Sequence, residues 1–253
     1  MELLIIFSVC TISGIFTGLL GIGGGLIIVP AFLCILPFFE SSYLRVHQII
    51  GISATCVFFN STMGLFYRRK EEFLQKYTIL KMAVAVVIGT LFGAVVSSQT
   101  PPKILFLIYT CVALTSMYLI KSNLHFNLQN NKNLKPILYI VFAFIGAISA
   151  SIGIGGAVLF ATALKCFFDK TPKELLPTIT LLVAVHALFA FIGKFICGDI
   201  ALMIIPIAIV ASILGAKIGV KLSEKLSSNT ITNLMLITLT IAMIRVILQL
   251  FNI

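Results

Sequence analysis

The chain has 253 residues, 60% of them hydrophobic and only 10% charged, with a mean hydropathy of +1.15. A soluble domain carries about 25% charged residues, so this chain cannot cover a water-facing surface. A soluble enzyme, a disordered protein and a secreted disulfide scaffold are excluded, which leaves a polytopic helical membrane protein. The net charge of +10 belongs to cytoplasmic loops of such a protein rather than to a nucleic-acid surface.

Apolar runs and polar breaks divide the chain. The runs are about 3–20, 26–39, 47–67, 78–98, 104–120, 137–152, 157–168, 175–195, 200–220 and 231–251. Met1-Glu2 lacks the basic start of a signal peptide, so the first run reads as a retained membrane leg. The breaks include Arg68-Arg69-Lys70-Glu71-Glu72, Gln99-Thr100-Pro101-Pro102-Lys103 and Asp169-Lys170-Thr171-Pro172-Lys173-Glu174. The longest, 121–136, is read as a linker between two membrane units, 1–120 and 137–253.

The two units resemble each other. Gly14-Ile-Phe-Thr-Gly-Leu-Leu-Gly-Ile-Gly-Gly-Gly25 aligns with Gly146-Ala-Ile-Ser-Ala-Ser-Ile-Gly-Ile-Gly-Gly-Ala157 at a constant spacing of 132 residues. Gly93-Ala94 is echoed more weakly by Gly215-Ala216. Internal duplication is the common architecture of secondary transporters.

Four glycines in the five positions 21–25 will not propagate a helix, at about 1 kcal/mol each against alanine. The run that follows, about 14 residues or roughly 21 Å, is short of a ~30 Å hydrocarbon core. Each glycine cluster therefore reads as the tip of a hairpin or broken helix at membrane depth, where irregular backbone must be buried in protein or line a cavity. If each broken run goes in and comes back, each unit has five legs. Arg68, Arg69, Lys70, Lys76, Lys121, Lys132, Lys135, Lys170, Lys173, Lys221 and Lys225 then share one side, eleven in all, against Arg45, Lys103 and Lys194 on the other. Single crossings would split the same residues six against eight. The positive-inside rule selects five legs. Five is odd, so the expected fold is all-α, with two inverted repeats. Each has a glycine-broken hairpin plus three transmembrane helices, and the termini face outward.

The first turns after the tips, Leu26-Ile27-Ile28 and Val158-Leu159, are expected to present backbone N–H groups at the positive ends of helix dipoles. Without Cβ atoms in the way, a small anion can approach. The candidate binding residues are Gly21, Gly23, Gly24, Gly25 and Leu26 at the first tip and Gly153, Gly155 and Gly156 at the second. Hydrogen-bonding candidates from the following helices are Ser53, Asn60, Thr180 and His186. The competing reading of the glycines is close helix packing, which Gly14-x-x-x-Gly18 fits better. His186 serves either an anion or a hydrogen bond in the bundle core. Serine and threonine also bond their own helix carbonyls.

No carboxylate lies deep in any run, which argues against a carboxylate proton relay or cation site. Lys81, Lys165 and Lys217 read as snorkelling side chains, and Arg245, about two turns inside its end, reads as snorkelling in preference to a substrate role. The six cysteines show no C-x-x-C spacing and are assigned no metal, disulfide or redox role. No cofactor motif, catalytic motif or Walker A sequence is present.

The stretch Gly14 to Pro30, Gly-Ile-Phe-Thr-Gly-Leu-Leu-Gly-Ile-Gly-Gly-Gly-Leu-Ile-Ile-Val-Pro, with its repeat at Gly146 to Thr162, resembles the TauE/SafE sulfite exporter family, also called the toluene-sulfonate uptake permease family. The repeat departs from the first copy at Ala157 and Thr162. The resemblance implies a multi-pass inner- or plasma-membrane transporter of sulfite, sulfonates or related sulfur-containing organic anions. The expected partners are a small anion and the lipid bilayer, without nucleic acid; oligomeric state is left open. The alternative is a non-transporting accessory or assembly protein. An intramembrane enzyme would have only His186 to offer.

Overall fold

The computed structural model describes residues 2–20, 24–35, 46–68, 72–121, 134–168, 170–200, 202 and 205–250. Gly21, Gly23 and residues 122–133 of the expected linker lie outside the described residues. Among the described residues there are ten helices and no strand: α1 (Glu2–Leu20), α2 (Gly25–Ile35), α3 (Val46–Tyr67), α4 (Lys76–Gln99), α5 (Pro102–Lys121), α6 (Leu134–Ile152), α7 (Ala157–Phe167), α8 (Pro172–Ile196), α9 (Ile205–Lys225) and α10 (Ser228–Leu250). These match the ten apolar runs. Helices α3, α4, α5, α8, α9 and α10 are long and apolar enough to cross a membrane. Helices α2 and α7 have 11 residues each, about 16 Å or half a crossing.

Burial sorts the spans. The apolar windows of α3 and α8 are 67% buried, against 25–39% in the other four spans, so α3 and α8 form the centre. Leu80, Val84, Ile88 and Phe92 of α4 and Ile237, Ile241 and Ile244 of α10 are exposed. Their spacing of three or four residues makes each a continuous apolar face, as lipid contact requires.

Helix α1 packs along α9 and α4 along α6; α3 packs on α8 and α9, α4 on α8, α2 on α10 and α7 on α5. Exchanging each helix for the one five places away maps the α3–α8 pair onto itself and each of the other pairs onto another member of the set. Small residues allow the two longest contacts. Gly14 and Gly18 of α1 lie against Gly215 and Gly219 of α9, and Gly89 and Gly93 of α4 lie against Ala143 and Ala147 of α6. Membrane helices lack a hydrophobic drive to associate, and close backbone approach supplies dispersion instead. Both registers ascend together, so each pair runs parallel. At one end of the bundle Arg68, just past α3, donates to Gly18 O (2.9 Å) in α1 and to Ser223 Oγ (2.6 Å) in α9. Lys173 donates to Glu224 O (3.3 Å) and Leu226 O (3.1 Å) nearby. At the other end His47, at the start of α3, contacts Thr100 O (3.1 Å) just past α4. Helices α1, α3 and α9 thus run one way and α4, α6 and α8 the other.

Pro30 lies inside α2 and has no N–H to give to the carbonyl of Leu26, four residues back. No water is available in hydrocarbon to replace it. The Tyr109 hydroxyl of α5, itself 2% exposed, donates to Leu26 O at 3.2 Å. In α7 Thr162 takes the place of Pro30 and keeps its N–H. Replacing Tyr109 with phenylalanine is expected to cost about 1–3 kcal/mol, the penalty of a buried unpaired carbonyl, seen as a lower Tm in detergent. In a Pro30→Ala background the helix N–H returns, and the same replacement should cost much less. Equal costs in both backgrounds, by a double-mutant cycle, would show that the carbonyl is not what Tyr109 serves.

Candidate functional site

The two glycine tips fold back on their own helices and meet. A methyl group placed on Gly24 would overlap Ser13 Oγ and stand 2.6 Å from Thr17 Oγ1, so the chain after α1 returns alongside it. At the second tip Gly156 caps α7 in the left-handed region, φ 69° and ψ −10°, a conformation that side chains with a Cβ avoid. A methyl there would stand 2.7 Å from the Phe160 ring and 3.1 Å from Ser149 Oγ. Thr17 and Ser149 occupy the same position of the sequence repeat. Gly25 is pressed against the Gly153 carbonyl, with Ser53 Oγ 2.8 Å from where its Cβ would be. Ser53 donates to that same carbonyl at 2.6 Å. Ser53 therefore joins both tips.

Behind each tip lies a buried polar pair. Behind the first, Asn60 Oδ1 of α3 stands 2.9 Å from where a Cβ on Gly14 would be, with Ser212 O 3.0 Å from the same point. The Asn60 amide and the Ser13 and Ser212 hydroxyls are fully buried and have no hydrogen-bond partner among the described residues. Behind the second, His186 Nδ1 of α8 and Thr90 Oγ1 of α4 share a hydrogen bond of 2.7 Å, with the Phe160 ring edge-on to the imidazole at 5.9 Å. His186 is 1% exposed. A cavity of about 10 Å³ touches His186, Ser149, Gly153 and Gly155, and the Ser149 hydroxyl is also unpartnered. That volume is about one water, so any larger ligand requires the tips to part. Buried unpaired polar groups cost about 1–3 kcal/mol each. A ligand rich in acceptor oxygens relieves that cost at the Asn60 N–H2 and the serine hydroxyls.

The structure brings Gly24, Gly25, Leu26, Ser53, Gly153, Gly155 and Gly156 together at the tip contact and sets Asn60 and His186 behind it. Thr180 is elsewhere: its hydroxyl donates to Leu176 O of its own helix at 2.7 Å and its methyl faces Gly64. The expected free N–H groups also need correction. The Ile27 and Ile28 N–H groups both donate to Gly24 O, at 3.0 and 3.1 Å, because the first turn of α2 closes on the tip itself. Ser13, Ser149, Thr90 and Ser212 were not singled out by the sequence reading. Their signal was present: Thr90 and Ser212 each stand three residues before the echoed Gly93-Ala94 and Gly215-Ala216. A cavity of about 760 Å³ is an almost wholly apolar groove on the bundle exterior between α5, α6 and α7, lined by residues such as Leu107, Val141, Phe144 and Phe167. It has little to hold an anion.

The family Sulfite exporter TauE/SafE matches residues 6–246, so the chain belongs to that family, and it is a multi-pass membrane protein. No curated protein and no solved structure matches it.

Gly156→Ala is expected to cost about 1–2 kcal/mol from the left-handed backbone alone, and more from the Phe160 contact. Ser149→Ala removes a hydroxyl that has no hydrogen-bond partner among the described residues. Its Tm in detergent should stay within about two degrees of wild type while substrate flux in vesicles falls severalfold. Unchanged flux in Ser149→Ala would remove that hydroxyl from the site.

Proposed function

We propose that the chain is a secondary transporter of a small sulfur oxyanion, with sulfite, a sulfonate or a related organic anion as substrate, acting in the cell inner or plasma membrane. The carrying observation is the meeting of two glycine tips in front of fully buried, unpartnered hydrogen-bond donors, Asn60 among them. The N-termini of α2 and α7 begin at the tips. Each contributes about 1 kcal/mol toward a nearby anion. With the amide and hydroxyl donors they offset part of the anion's desolvation, while the positive ends of two helix dipoles disfavour an ammonium group.

Residues 1–120 and 137–253 are, on this reading, inverted repeats joined by the linker 121–136. Three observations support it: the sequence repeat, the exchange of packing partners between the first and last five helices, and the opposed directions of α1 and α6, α3 and α8, and α4 and α9. Alternating access then consists of rocking one repeat against the other about the tip contact. The Ser53–Gly153 hydrogen bond and the Gly25 contact hold the form seen here closed, and substrate gains access when they separate on one side. The ends of α3 and α9 and the start of α8 face the cytoplasm, in line with the charge asymmetry.

Reconstituted vesicles should show saturable flux of labelled sulfite or of a sulfonate, blocked by the other anion and unaffected by a quaternary amine. Competition by the amine with none from the anions would overturn the anion assignment; absence of saturable flux would favour an accessory role. In intact cells, cysteines placed in 121–136 should resist membrane-impermeant thiol reagents while cysteines at either terminus react. The reverse pattern would sink the five-leg arrangement.

A further inference from the structure

Two buried cations sit at opposite ends of the central helices. Arg68 follows the last residue of α3 and is 3% exposed. Lys194 lies in the last turn of α8, is fully buried, and was counted among loop charges in the sequence reading. Both occupy equivalent places. Arg68 is eight residues beyond Asn60 on α3, and Lys194 is eight residues beyond His186 on α8, about 12 Å along the axis in each case. Each also reaches a serine in the last turns of the other repeat's fourth helix. Arg68 donates to Ser223 Oγ of α9 at 2.6 Å. Lys194 donates to Ser98 Oγ of α4 at 3.3 Å and to Asp199 Oδ2 at 3.1 Å, while Ser98 donates to the same carboxylate oxygen at 2.6 Å.

These ties cross between the repeats, one at each face, about two helical turns beyond Asn60 and His186. A cation held out of water is a ready partner for an oxyanion, which supplies a full negative charge. At the outer face Lys194 is paired with Asp199, so the incoming anion competes with a resident carboxylate. Opening a mouth must break its tie, because the two partners belong to the parts that move. We propose that Arg68 and Lys194 are the gate cations of the transport path. Each closes one mouth by bonding across the repeats, and each, when released, takes the substrate anion and passes it to the polar pair two turns below. This rests on the anion-transport reading.

The test is flux of labelled sulfite in oriented vesicles, with KM measured separately at each face. Lys194→Gln combined with Asp199→Asn leaves no unpaired buried charge, and it should raise the outer KM at least tenfold while the inner KM stays within twofold. Arg68→Gln should give the mirror image, and Lys194→Arg should stay within threefold at both faces. Ser223→Ala keeps the Arg68 charge and removes its cross-repeat partner, so the inner KM should fall about threefold. This last variant is independent of whether Arg68→Gln folds. A KM that rises equally at both faces, or that stays unchanged in the folded variants, would make the cations structural ties and overturn the gates alone. A wild type without saturable sulfite flux would overturn the transport reading and the gates with it.

Discussion

Hydrocarbon offers no hydrogen bonds, and every feature of this bundle follows from how its broken helices satisfy that constraint. A continuous helix pairs its own backbone. The two tips cannot, so their carbonyls are served from elsewhere: Gly153 O by Ser53 of α3 and Leu26 O by Tyr109 of α5. Such donors exist only inside the protein, which forces the tips inward against α3 and α8 and away from lipid. The same requirement makes α3 and α8 the most buried spans and leaves α4, α5, α9 and α10 with the larger lipid-facing surfaces.

Fold and site use the same helix faces. The glycines that let α1 approach α9, and α4 approach α6, bring Ser212 beside Asn60 and keep Thr90 within reach of His186. A side chain larger than glycine at 215 would meet the Thr11 carbonyl and the backbone of Gly14 and Ile15. The separation it forced would also move Ser212 away from the first polar pair. Packing errors in these helices are therefore errors of the site as well. Gly14 and Gly18 read as packing elements in the sequence and pack against α9 in the fold, while the ligand role of the tip glycines belongs to the proposed function.

The ten helices, the two tips and the unequal charge of the faces were legible because each is written locally: an apolar run, a glycine cluster, a lysine or arginine. The partners of those features were not. Nothing in the sequence near Leu26 names Tyr109, 83 residues away, although Pro30 announces that some donor is needed. Asp199 reads as a loop residue until the end of α8 turns it under Lys194. Thr180 and Asn60 look alike as buried polar residues in a span, yet one bonds its own helix and the other has no partner. That difference lies in which neighbour each faces. In spans that are apolar on every side, hydropathy carries no record of facing.

The two polar pairs differ in a way that bears on how a substrate would be shared between the repeats. His186 and Thr90 already satisfy each other, so a ligand arriving there must displace a formed hydrogen bond and gains only the difference. Asn60 and Ser13 have no such bond to lose among the described residues, and an unpaired buried donor carries a cost of about 1–3 kcal/mol that a ligand oxygen removes. On the proposed transport reading, an oxyanion between the tips would be held more strongly on the Asn60 side, with His186 adjusting to whichever oxygen remains. Near-symmetry would then let both faces open onto one site, and the departure from it at Asn60 and His186 would fix where in that site the anion rests.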